Sequence, residues 1–147
     1  MSFKFRLDPI LRWRELQLTQ ALSLLARALS DEAQVRAHLR ERESAQDAAS
    51  RELRISPGGT THAAALQDQA RRSQALGTAV ASARLAMEAC ETKRAKAQHA
   101  VAMRRADLEA LERLRGRAQD EYWTAQRKLE QKHIDELAST AHGSARR

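Results

Sequence analysis

Glu130 and His133 form a Glu-x-x-His near the C-terminal end of the sequence, and of all its motifs this one comes nearest to metal chemistry. In helical bundles that hold two iron ions, such a pair supplies two ligands, but a second Glu-x-x-His and further glutamates must face it. The sequence has no second Glu-x-x-His. Its five histidines are dispersed and never paired at ligand spacing. We therefore expect no metal site and no cofactor.

Two other features could support chemistry, namely the single cysteine and a pair of glycines. Cys90 lies on an apolar row, where a buried free cysteine behaves as a small hydrophobic residue rather than a nucleophile. Gly58 and Gly59 lack the lysine and the preceding strand of a phosphate-binding loop. A catalytic site also needs groups that converge in a cleft, which a pair of helices hardly offers. We expect no catalytic residues and predict that the protein is not an enzyme.

The composition favours helices and attraction to acidic partners. Alanine, leucine, arginine, glutamate and glutamine dominate, aromatics make up only 3%, and the net charge is +7 at pH 7. Short basic clusters at residues 93–96 and 104–105 are flanked by acidic residues and carry no interleaved aromatic side chain for base stacking. A helical nucleic-acid-binding protein is therefore retained only as an alternative.

The N-terminal residues interleave charges with apolar side chains and contain no continuous hydrophobic core of the kind a signal peptide needs. No stretch approaches the apolar length that spans a bilayer. The single cysteine cannot form an internal disulfide and so does not require an oxidising compartment. We expect a soluble, unprocessed, cytoplasmic protein.

A first helix is predicted over about residues 8–54. Asp8 can cap it, and Pro9 suits the first helical position because its missing N–H costs nothing there. Pro57, Gly58 and Gly59 must interrupt the helix, which predicts a turn over residues 55–61. Counted in sevens, the apolar row of this helix runs Leu11, Leu18, Leu25, Glu32, Leu39, Gln46 and Leu53, with Leu22 and Leu29 as its predicted companions.

A second helix is predicted over about residues 62–140, followed by a disordered tail over residues 141–147. It carries two rows with heptad spacing, most of whose members are apolar. The first row runs Leu66, Ser73, Val80, Met87, Arg94, Val101, Leu108, Arg115, Tyr122 and Leu129. The second runs Gln69, Leu76, Ala83, Cys90, Ala97, Arg104, Leu111, Ala118, Ala125 and Lys132.

Two such helices joined by a short turn predict one all-α domain over residues 1–147, an antiparallel coiled-coil hairpin with a longer C-terminal helix. Folding back at residues 57–59 would place Pro9 level with roughly Leu108 and leave everything after about Arg113 without a partner in its own chain. An apolar stripe on that overhang predicts a binding partner, a second copy or packing of the N-terminal segment. Five aromatic residues fall near this open end, either as a staple or as a recognition tip: Phe3, Phe5, Trp13, Tyr122 and Trp123.

The two ends of the chain resemble those of a known family. Residues 3–15, FKFRLDPILRWRE, resemble the opening of the FliJ family of the bacterial flagellar type III export apparatus. Residues 128–138, KLEQKHIDELA, are similar to the charged closing segment of that family. The matching residues of the opening are Phe5, Arg6, Leu7, Pro9, Ile10, Leu11 and Arg14.

The resemblance implies a non-enzymatic stalk similar to the central stalk of rotary ATPases, with roles in flagellum biogenesis, protein transport, motility and chemotaxis. Its implied partners are the hexameric flagellar export ATPase and the cytoplasmic domain of the membrane export gate, with export chaperones as further candidates and no nucleic acid. The implied location is the cytoplasm, peripheral at the cytoplasmic face of the inner membrane through these partners.

The resemblance also implies contact residues. For the gate these are Leu76 and Ala79, at the start of the second helix, where an aromatic residue of some relatives is absent and Arg72 stands near its place. Alternatives are the equivalent stalk of a virulence type III secretion system, the nucleic-acid-binding hairpin and a self-assembling coiled coil. For the ATPase the expected set combines both ends of the chain: Phe3, Phe5, Arg6, Leu7, Pro9, Leu11, Arg14, Tyr122, Trp123, Leu129 and Leu137.

Overall fold

Two long helices make up almost all of the structure, a computed structural model that describes residues 3–55 and 63–144. Helix α1 spans Asp8–Ile55 (48 residues) and helix α2 spans Ala63–Ser144 (82 residues). No strand occurs within the described ranges. The predicted fold class, all-α with two helices of which the C-terminal one is longer, is confirmed.

Helix α1 begins where Asp8 and Pro9 predict a start. The Asp8 N–H donates to the Phe5 carbonyl at 3.2 Å, and the Leu11 N–H donates to the Leu7 carbonyl at 3.0 Å. The predicted turn, from residue 56 onward, lies outside the described residues. Of the predicted tail, residues 145–147 also lie outside them, whereas α2 itself extends to Ser144.

The chain divides into two compact units, each containing part of both helices. One, the terminal unit, comprises Met1–Thr19 and Met103–Arg147, and the other, the middle unit, comprises Gln20–Ala102. In the middle unit α1 and α2 run antiparallel, because Arg84 contacts Glu43 at 3.0 Å while Arg72 contacts Glu52 at 3.7 Å. In the terminal unit they are also antiparallel, because Asp8 contacts Arg115 while Arg14 contacts Asp107.

The terminal unit corrects the predicted overhang. Arg115 lies 3.8 Å from Asp8, so α1 begins level with a point several residues beyond Leu108. Arg14 contacts Asp107 at 2.9 Å in the same register. The prediction that residues after about Arg113 lack a partner in their own chain is therefore wrong for residues up to Tyr122, whose ring lies 5.6 Å from that of Phe3, whereas residues 127–140 are exposed at every position. That prediction took residues 57–59 as the midpoint between paired residues of the two helices. The midpoint in sequence between Glu52 and Arg72, which are in contact, lies several residues later.

The α1 row starting at Leu11 faces α2, with Leu11 and Glu32 buried. The predicted companions Leu22 and Leu29 are wrong, because both are exposed. A heptad accepts a partner three or four positions along, and two leucines give a stronger signal than the small side chains that α2 covers. The covered companions lie three positions after the row residues: Arg14, Ala21, Ala28 and Val35.

Both predicted rows of α2 are covered from Leu76 to Leu111, and Ala118 and Tyr122 continue the coverage. The buried residues on these rows are apolar and small or flexible: Val80, Met87, Cys90 and Val101. Such side chains let two helices approach closely along a narrow seam.

Candidate partner-binding site

Aromatic side chains hold residues before α1 against α2 in the terminal unit. The Phe3 and Tyr122 rings lie 5.6 Å apart at 54°, and the Tyr122 and Trp123 rings lie 5.4 Å apart at 76°. Phe3 and Tyr122 are half-buried, whereas Trp123 is exposed. The structure thus brings the two predicted ends together as a staple and leaves the Trp123 indole open to a partner.

The stretch of α2 over residues 127–140, called here the C-terminal segment, is exposed at every position. It carries three large apolar side chains, Leu129, Ile134 and Leu137, each 57–59% exposed. Two of them belong to the predicted contact set, and Ile134 is an addition that the heptad rows miss because it lies on the opposite side of the helix. Three large apolar side chains exposed on one short segment make it a candidate docking surface.

The remaining predicted contact residues differ in accessibility. Arg6 and Pro9 are exposed, and Phe5 and Leu7 are half-buried. Leu11 is buried against α2 and so contributes packing rather than exposed surface.

Arg14 is the centre of a polar network on the terminal unit. Its NH1 group donates to Asp107 Oδ2 at 2.9 Å and to Gln17 Oε1 at 3.2 Å. Arg104 NH1 donates to the same Gln17 oxygen at 3.0 Å. The Arg14 guanidinium also lies 5.1 Å from the centre of the Trp13 ring. These contacts fix Arg14 beside an exposed aromatic, a combination common at protein interfaces.

A groove of about 350 Å³ in the middle unit contains one of the two predicted gate residues. Ala79 lines it and Leu76 lies half-buried one turn before, on the same helix. Small side chains on α2 form one wall, and Val35, His38 and Arg42 of α1 form the other. The other lining residues are Ser82, Ala83 and Ala86.

Glu32 is the one buried charged residue among the described positions, with 5% of its surface exposed. Its Oε2 atom lies 2.7 Å from Arg94 Nε, and its Oε1 atom contacts Arg36. The Arg94 N–H does not point at the Glu32 oxygen, so this contact is an ion pair without a hydrogen bond. Arg94, part of a basic cluster in the sequence, is therefore engaged with its own chain.

Among the described residues, the fold does not bring the other candidate chemical groups together into a site. Glu130 and His133 are both exposed on the C-terminal segment. Among the described residues, no group of three or more histidine, cysteine or acidic side chains could hold a metal ion. None of the described helices has an apolar stretch long enough to cross a membrane.

A protein-family model described as "Flagellar FliJ protein" matches residues 3–147, nearly the full length. No curated protein and no solved structure matches the chain. The resemblance drawn from residues 3–15 and 128–138 is thereby confirmed.

Proposed function

The chain belongs to the flagellar FliJ family, and on this premise we propose that it is a non-enzymatic coiled-coil stalk that binds the export ATPase ring and links it to the membrane export gate. Family membership itself makes it a component of flagellar type III protein export, in a family of structural and escort proteins rather than enzymes.

The observation that carries the ATPase assignment is the uncovered C-terminal segment together with the exposed Trp123. Leu129, Ile134 and Leu137 would lose unfavourable contact with water on docking, at about 25 cal/mol per Å² of apolar area. Aromatic and arginine side chains at the same end, Trp123 and Arg6, are residue types that anchor interfaces. We therefore assign ATPase binding to this end of the terminal unit.

The gate contact is assigned to the groove of the middle unit. Small side chains along the α2 wall of the groove leave room for a large apolar side chain of a partner segment. Ala79 lies in that wall, and Leu76 is half-buried one turn before it. Binding to the ATPase and the gate would place the protein at the cytoplasmic face of the membrane.

The ATPase assignment is tested by replacing Tyr122 and Trp123 together with alanine and measuring binding to the purified export ATPase. We expect helicity close to that of the unmodified chain and binding weakened by about tenfold or more. Because Tyr122 also packs on Phe3, a second variant, Leu129→Ala with Leu137→Ala, removes only exposed side chains. It is expected to weaken binding as well.

A matched control replaces Leu24 and Leu85 with alanine, since both are exposed leucines of the middle unit. That control should bind the ATPase normally. Undiminished binding by both test variants would refute the assignment to this end. The gate contact is examined separately with Ala79→Glu, which should lose binding to the cytoplasmic domain of the gate and retain ATPase binding.

A further inference from the structure

A second exposed apolar surface lies on one lateral face of the terminal unit, away from the seam. On α1, Ile10 and Trp13 lie three residues apart and are 45% and 52% exposed. On α2, Met103 and Leu114 are 54% and 48% exposed, and the exposed Ala110 lies between them. None of these five residues belongs to the predicted ATPase or gate contacts.

Cross-helix hydrogen bonds show that these residues share a face. Gln17 accepts a hydrogen bond from Arg104 of α2, and Asp107 accepts one from Arg14 of α1. Gln17 and Asp107 therefore lie on the same side of the seam. Helical spacing of three and four residues places Ile10 and Trp13 in the row of Gln17. The same spacing places Met103, Ala110 and Leu114 in the row of Asp107. We call the five apolar residues the lateral patch.

The lateral patch reaches the size of the largest exposed apolar patch on a typical monomeric protein. About half of each of its four large side chains is exposed, which amounts to roughly 400 Å² of apolar area for residues of this size. Patches of this size often mark binding surfaces. Trp13, with the Arg14 guanidinium on its ring, supplies the tryptophan and arginine pair that is enriched at interface centres.

The charged residues around the lateral patch indicate which kind of partner can cover it. The α2 row continues into Arg117, which is exposed and lies near the level at which Asp8 contacts Arg115. At the other end Arg104 donates to the neutral Gln17 and keeps its full charge. The carboxylate on the patch edge, Asp107, is already neutralised by Arg14.

From this arrangement we propose that the lateral patch binds an amphipathic helix of another protein that has an apolar row flanked by acidic residues. Such a helix lies along the two rows, with its acidic side chains on Arg104 and Arg117. A second copy of this chain is a poor occupant, because it would bring a net charge of +7 and the same arginines onto themselves. The proposal does not depend on the identity of the export partners.

The probe is a synthetic 21-residue helix-forming peptide with leucine at heptad positions a and d and glutamate at e and g, lacking tryptophan. Its matched control carries lysine at every glutamate. The chain has two tryptophans, so Trp123→Phe leaves Trp13 as the sole indole reporter. We expect the glutamate peptide to shift Trp13 emission to the blue with a micromolar Kd that weakens with salt, and the lysine peptide to bind at least about tenfold more weakly.

Two variants in the Trp123→Phe background locate the site. Met103→Glu places a carboxylate in the patch and should abolish the emission shift, with unchanged circular dichroism because Met103 is exposed. Leu85→Glu, on an exposed leucine of the middle unit, should bind like the background. Equal binding of both peptides, or equal binding by both variants, would overturn the proposal. So would a dimer in sedimentation that Met103→Glu abolishes, because the occupant would then be a second copy.

Discussion

The buried carboxylate of Glu32 yields a prediction whose size follows from its contacts. Glu32→Gln keeps the shape of the side chain and removes the charge that faces Arg94 at 2.7 Å and also contacts Arg36. Breaking a fully buried ion pair costs about 3–5 kcal/mol. The Arg94 and Arg36 side chains are 33% and 47% exposed, however, so both guanidinium groups can regain water. We therefore expect the free energy of unfolding to fall by about 1–2 kcal/mol.

The measurement is urea denaturation followed by far-ultraviolet circular dichroism. Glu43→Gln is the matched control, since Glu43 contacts Arg84 at 3.0 Å across the same seam but is more exposed than Glu32. Its cost should stay below about 1 kcal/mol and shrink with added salt. If Glu32→Gln and Glu43→Gln lower the free energy equally, burial of Glu32 has no energetic consequence and the reasoning fails.

A double replacement separates stability from specificity at the same site. Glu32→Leu with Arg94→Leu puts two apolar residues on the seam and is expected to be neutral or to stabilise by about 1–4 kcal/mol. That result would mean that the ion pair selects the alignment of the helices rather than strengthening it, the role that buried polar groups play in coiled coils. Destabilisation comparable to that of Glu32→Gln would contradict this interpretation.

Two further predictions concern the interior of α2. Gly116→Ala should raise the free energy of unfolding by about 0.5–1 kcal/mol in urea denaturation, because an added Cβ meets nothing within 4 Å and alanine is the better helix former. Gly77→Ala should have the same effect, since the atom nearest to its added Cβ, Gln46 Nε2, is at an ordinary contact distance of 3.9 Å. Destabilisation by either substitution would refute this reasoning. Cys90 is buried, so iodoacetamide should modify it at least about tenfold more slowly in the native chain than in denaturing urea; mass spectrometry reads the rates, and equal rates would show that the seam opens freely there.

The sequence predicts the helices well and their alignment poorly, for a physical reason. Spacing within one helix fixes which residues share a face, so the rows of α2 through Val80 and Met87 could be read directly. Which flank of α1 meets α2 depends on the partner helix, and the leucines at 22 and 29 gave a stronger signal than the alanines at 21 and 28. The level of Asp8 beside Arg115 likewise depends on where the chain reverses, which spacing does not encode.

The sequence likewise predicts only part of the candidate site. Exposure of Leu129 and Leu137 follows from helix lengths, because α1 is too short to cover the end of α2. The lateral patch could not be predicted from helix lengths, because only the alignment of the two antiparallel helices shows that its two rows lie side by side. Ile10 and Trp13 could be recognised as a pair from their spacing, but Met103 and Leu114 join them only through the contacts of Arg14 and Arg104.

The C-terminal segment is held differently from the rest of the two helices, and this difference bears on function. Charged pairs span the seam in both units, including one on a buried carboxylate in the middle unit. In the C-terminal segment, side-chain bonds are local, such as Gln131 to Asp135 at 2.9 Å and the Thr140 hydroxyl to backbone carbonyls. Local bonds alone leave a helix marginally stable in water. A partner that covers Leu129, Ile134 and Leu137 would therefore stabilise the helix as well as bind it, which couples docking to the order of this segment.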